Sequence, residues 1–146
     1  YALAIITSAA GIGALFASAW IGLGRMNKSE IQRYLWPMVF IGIAATALLN
    51  LFGSLIPISL IFIVTGFTAT IAGIGAQTLI QLEVEESYRA RVMTWWSTIS
   101  FGSLVFGGVT MGYLGDVLGI DNAIAIMMSI GGAAALCVSA FVRKPR

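Results

Sequence analysis

The chain contains no histidine, and its one cysteine, Cys137, sits inside an apolar run. A histidine-based acid–base pair, a Cys/His metal cluster and an internal disulfide are therefore excluded. Cys137 reads as a small buried apolar residue. Charge is the second shortage. Asp, Glu, Lys and Arg make up 10% of the 146 residues, whereas soluble domains carry about 25%. Apolar residues take their place: 59% of the chain is hydrophobic and the mean hydropathy is +0.96. A soluble fold of this length has no interior large enough to hide so much apolar surface. The composition implies an integral membrane protein whose first partner is the lipid bilayer. The net charge of +2 does not point to nucleic acid, because the cations sort by membrane side rather than gathering in a patch.

Residues 1–24, 34–82 and 92–115 carry no charge, and the charges fall in narrow bands between such runs. At 1.5 Å per residue the first run reaches about 36 Å, enough to cross a hydrocarbon core. The second is too long for one span and breaks at Gly53-Ser54, with Pro57 suited to the first turn of the next helix. Trp36-Pro37 is expected to mark the start of its first half, with the tryptophan at interface depth. The pattern predicts an all-α, polytopic transmembrane bundle with five spans, at about 2–24, 36–53, 57–82, 91–115 and 122–142. These form a single partial transmembrane domain. Asp121 or Asn122 is expected to cap the last helix. The chain opens on Tyr1 and enters an apolar run without a charged segment before it, so a signal peptide is not expected in this stretch. A piece of a longer protein, starting just before a span, is the expectation.

With five spans, all eight cations fall on one side. Arg25, Lys28 and Arg33 follow the first helix, Arg89 and Arg91 the third, and Arg143, Lys144 and Arg146 the fifth. The other side has only Asp116 and Asp121. The positive-inside rule makes the cation side cytoplasmic, with Tyr1 outside. Laying the first helix on the fourth matches Gly11 to Gly102, Ala17 to Gly108 and Gly24 to Gly115, as a faint inverted repeat does.

Two stripes carry the candidate functional residues. The third helix places Gly66, Thr70, Gly73, Gln77 and Gln81 on one face, and the fourth does the same with Trp96, Ser100, Ser103, Gly107 and Thr110. Polar groups at membrane depth face protein or a water-filled cavity. The stripes either pack, with hydroxyls bonded to backbone carbonyls, or line a substrate path in which Trp96 stacks on a ligand. The Gly108-Val-Thr-Met-Gly112 motif reads as packing against a neighbouring helix of the same chain. No carboxylate lies inside a span and there is no base to activate a nucleophile, so no catalytic residues, metal ligands or cofactor are expected and an enzyme is disfavoured. Arg89 and Arg91, near Glu83, Glu85 and Glu86, serve either to orient the chain or as a cytoplasmic latch.

The segment Gln81-Leu-Glu-Val84-Glu85-Glu-Ser-Tyr-Arg89-Ala90-Arg91-Val92 resembles the major facilitator superfamily. It is closest to the bacterial exporter branch that includes the enterobactin exporter and macrolide-efflux-type proteins. That branch shows Gln-x-x-Val-Pro, three variable residues and Arg-Gly-Arg-Val between its tenth and eleventh helices. Here Glu85 replaces the proline and Ala90 the glycine, and both changes favour a more helical connector. Gly112-Tyr-Leu114-Gly-Asp116-Val-Leu-Gly119 is similar to the family's Gly-x-Leu-x-Asp-x-x-Gly element. Gly22-Leu-Gly24-Arg25, with Lys28 and Arg33, is similar to a degenerate copy that lacks the usual acid.

The resemblance implies helices eight to twelve of twelve, a partial C-terminal domain. Its partners would be the seventh helix and N-terminal half of the same protein. It also implies a secondary active transporter of the bacterial inner membrane, working by alternating access and exporting a small organic molecule such as a drug or siderophore. The rivals are a non-transporting membrane subunit or scaffold on the same bundle, and a channel, which needs a polar constriction ring.

Overall fold

The computed structural model describes residues 1–24 and 28–142. They form five long helices: α1 (Ala2–Gly24), α2 (Lys28–Ala47), α3 (Leu55–Glu83), α4 (Glu86–Leu118) and α5 (Ile120–Val142). A 3-10 turn, Leu48–Leu51, extends α2. There is no strand among the described residues. All five helices are long and apolar enough to cross a membrane. Arg25 and the basic tail from Arg143 to Arg146 lie outside the described residues.

The helix ends differ from expectation where local chemistry allows a helix to run on. The second helix begins at Lys28 rather than at Trp36, and Pro37 lies inside it. Proline lacks an N–H, so the carbonyl of Arg33 has no donor four residues on, but the helix continues through that gap. Pro57 does fall in the first turn of α3. The fourth helix starts at Glu86 rather than 91, because Glu86, Arg89 and Ala90 sit well in a helix. The expected polar connector from 115 to 122 shrinks to Gly119 alone. That residue has φ 84°, a left-handed conformation open to glycine at little cost. The turn is completed in one residue, so both helices extend over it. Asn122 therefore does not cap α5 by its side chain. Its Nδ2 donates to the carbonyl of Leu118, closing the end of α4 (2.9 Å).

Packing runs in the spatial order α1, α3, α2, α5, α4. The tightest contact is between α1 and α3. Ala9, Gly13 and Ala17 recur every fourth residue of α1 and are its buried positions, forming one narrow face. A Cβ on Gly13 would collide with the carbonyl of Ile63, and one on Gly66 with the carbonyl of Ala10. Small residues let two backbones touch, which is how helices gain dispersion energy in lipid. On its other side α3 meets α2: Gly42 lies under the Thr68 hydroxyl, and Gly75 under the side chain of Ile31. The Thr68 hydroxyl is satisfied by the carbonyls of Val64 and Thr65. Next in order, α5 packs against α2 and α4 against α5, while α3 and α4 barely meet. Cys137 on α5 is exposed rather than buried, because it falls on a side of that helix that no described helix covers.

The charges sit where the antiparallel alternation puts them. Lys28, at the start of α2, pairs with Glu83, at the end of α3 (2.5 Å). Arg33, Arg89 and Arg91 occupy the same end of the bundle, in the early turns of α2 and α4. At the opposite end Asn50 donates from Nδ2 to the carbonyl of Asp121 (2.9 Å), tying the 3-10 turn to α5.

Candidate functional site

The α3 stripe does not have one environment. Gly66 is part of the α1 contact, against Ala10. Thr70 and Gln81 are half-buried. Gly73 and Gln77 are exposed, and a Cβ on Gly73 would meet nothing within 4 Å. The stripe thus starts as a helix contact and ends as an open face.

The α4 stripe lies on that helix's better-packed side. Val92, Trp96, Gly107, Thr110, Met111 and Leu114 are half-buried, and helical spacing puts them on one side with Ser100 and Ser103. Ser100 and Ser103 are nevertheless exposed, as is every residue from 97 to 106. The hydroxyls do not wait for an outside partner. Ser103 donates to the carbonyl of Ser100 (2.9 Å) and Thr110 to that of Phe106 (2.8 Å). Because α3 and α4 barely touch, the two stripes are not brought together into one pocket by the described residues. The Gly108/Gly112 pair differs from expectation. Nothing lies within 4 Å of a Cβ on either, so this motif packs on no other described helix of the chain.

Arg89 and Arg91 are exposed in the first turns of α4, and neither forms an ion pair among the described residues. The ion pair at this end is Lys28–Glu83, which the sequence reading missed because the partners are far apart in the chain. The signal available was the hairpin itself, since the first residue of α2 must meet the last of α3. Each of these charges stands at the disfavoured end of its helix dipole, a cation at an N-terminus and an anion at a C-terminus. Both side chains are about half exposed, at 48% and 58%, so a double-mutant cycle is expected to give about 0.2–1 kcal/mol. The exchanged pair, Lys28→Glu with Glu83→Lys, is expected to melt at or above the wild-type temperature, because both dipole terms then change sign. A lower melting temperature for the exchanged pair rules that account out.

A further groove, also unanticipated, opens between α1 and α2 with α3 as its floor. Trp20, Tyr34 and Met38 form its walls and Phe67 and Ile71 its base, around a volume of 420 Å³. Trp20 meets Phe67 edge to face, with ring centroids 6.5 Å apart. Trp20 and Tyr34 flank the connector between α1 and α2, as interfacial aromatics do. No family model, no curated protein and no solved structure matches this chain. The functional reading therefore rests on the residues and their placement.

Proposed function

We propose that this chain is part of a secondary active transporter of the major facilitator type. In this reading it works by alternating access in a bacterial inner membrane, with its cation-bearing end in the cytoplasm, and exports a small organic molecule such as a drug or siderophore. The motif resemblance around residues 81–92 suggests the family. The observation that carries the transport reading is on α4. That helix is long and apolar enough to cross a membrane, yet it has no buried residue. Ser100 and Ser103 stand exposed in its middle turns, on the face that also carries Trp96. Polar side chains at that depth belong against protein or water, and a water-filled path beside α4 accommodates them. Gly73 and Gln77 on α3 give a second open polar face of the same kind. Arg89 and Arg91, which form no ion pair among the described residues, are available to pair in another state of the cycle.

A second reading, a non-transporting membrane subunit or scaffold, is favoured by the Ser103 and Thr110 hydroxyls, which already bond to their own helix. Flux separates the two. The full protein in proteoliposomes is expected to move at least one of a panel of fluorescent organic probes. Gly73→Leu and Ser103→Leu are expected to reduce that flux to background while the protein still folds, and Phe101→Leu to leave it intact. A folded protein that moves no probe favours the scaffold, and normal flux in both leucine variants removes the two stripes from the path.

A further inference from the structure

Three helix ends meet at the cation-bearing end of the bundle and leave a groove of 580 Å³ between them. Its polar wall is the second turn of α2, with Gln32 and Arg33, and Trp36 stands beside them. Its apolar wall comes from Leu35 on α2, Leu79 on α3 and Val142, the last described residue of α5. Arg33 is exposed and forms no ion pair among the described residues. Nearby, the carboxylate of Glu83 is taken by a different cation, Lys28.

We propose that this groove binds an anionic phospholipid, with its phosphate on Arg33 and the upper part of an acyl chain along Leu79 and Val142. The inference rests on the membrane-spanning character of the helices and not on transport. Four observations support it. A guanidinium offers a fork of donors that matches phosphate oxygens. Basic pockets between helices at the membrane surface are suited to lipid head groups. A tryptophan at such a site lies at head-group depth, with its ring toward the chains and its N–H toward water. Pro37, also in the groove wall, has no N–H to donate to the Arg33 carbonyl, and a head group carrying hydroxyls, as in phosphatidylglycerol, is proposed to donate there.

The test is native mass spectrometry of the full protein in detergent, with equal amounts of phosphatidylglycerol and phosphatidylcholine. The wild type is expected to retain phosphatidylglycerol in preference. Arg33→Gln is expected to lower that preference by about fivefold, the effect of one surface cation, whereas Arg33→Lys keeps most of it. Arg89→Gln removes a cation from the same end but outside the groove, and is expected to leave the preference unchanged. Leu79→Trp fills the apolar wall and is expected to reduce retention of both lipids. Melting temperatures identify any variant that has lost its fold, and Arg33→Gln against Arg89→Gln is then read on folded protein alone. Equal losses in those two variants indicate diffuse surface charge and overturn the proposal, as does a wild type that shows no head-group preference.

Discussion

Replacing Gly13 or Gly66 by alanine is expected to destabilise the bundle by about 1–3 kcal/mol, the usual cost of overpacking. The added methyl meets a backbone carbonyl of the opposite helix, Ile63 in one case and Ala10 in the other. A carbonyl held in its own helix cannot swing aside as a side-chain tip does, so α1 and α3 must separate. Separation forfeits contacts along the whole interface, because dispersion falls steeply with a gap of even half an ångström to one ångström. Gly11→Ala and Gly73→Ala are the controls. Nothing lies within 4 Å of a Cβ at either position, and alanine favours a helix over glycine by up to about 1 kcal/mol. Thermal unfolding in detergent should therefore shift in opposite directions for the two pairs. Leucine at Gly13 or Gly66 is expected to prevent recovery of folded protein. Equal melting of the Gly13→Ala and Gly11→Ala proteins would falsify the backbone contact.

The second large effect is all-or-none. With Cys137→Ala as background, a cysteine at Leu118 is expected to react fully with an impermeant thiol reagent added to intact cells, and one at Ser87 to remain unreacted until the membrane is opened. Both positions are exposed and lie near opposite ends of α4. That helix has 33 residues, about 50 Å at 1.5 Å per residue, against a hydrocarbon thickness of about 30 Å. Each end therefore projects into water even with considerable tilt. Reaction at Ser87 with protection at Leu118 reverses the proposed orientation, and equal reaction at both means that α4 does not cross.

Five helices and their alternation were legible in the sequence because charge is so scarce that its positions mark the ends. The helix starts were less so. Trp36-Pro37 looked like a beginning because proline is disfavoured inside a helix, but its cost is one hydrogen bond and a local clash. The polar turns before it, with Lys28, Glu30 and Arg33, continue the helix outward instead. Gly119 was hidden for the opposite reason. The surrounding Asp116, Asp121 and Asn122 resemble a loop, and only the backbone shows that a single positive φ makes the whole turn.

For the stripes, spacing gave the face but not its neighbour. Gly66 and Gly73 lie on one side of α3, yet one touches α1 and the other faces open space. A periodic row of small residues marks where close approach is allowed, and does not name the helix that takes it. The Lys28–Glu83 pair joins residues that no local pattern links, and the groove at Arg33 needs three helix ends to exist at all.

The spatial order of the helices has a consequence for biosynthesis. The ribosome delivers α1 before α2 and α3, but the partner of its buried face is α3, not α2. At about 5–20 residues per second, α1 spends several seconds in the bilayer before the last turn of α3 has been made. During that interval its Ala9–Gly13–Ala17 face borders lipid chains, and those side chains carry no polar group that lipid would leave unsatisfied. A polar contact face would not have this tolerance. Building the α1–α3 contact from bare backbone and methyl groups lets α1 wait in lipid for a partner that is synthesised two helices later.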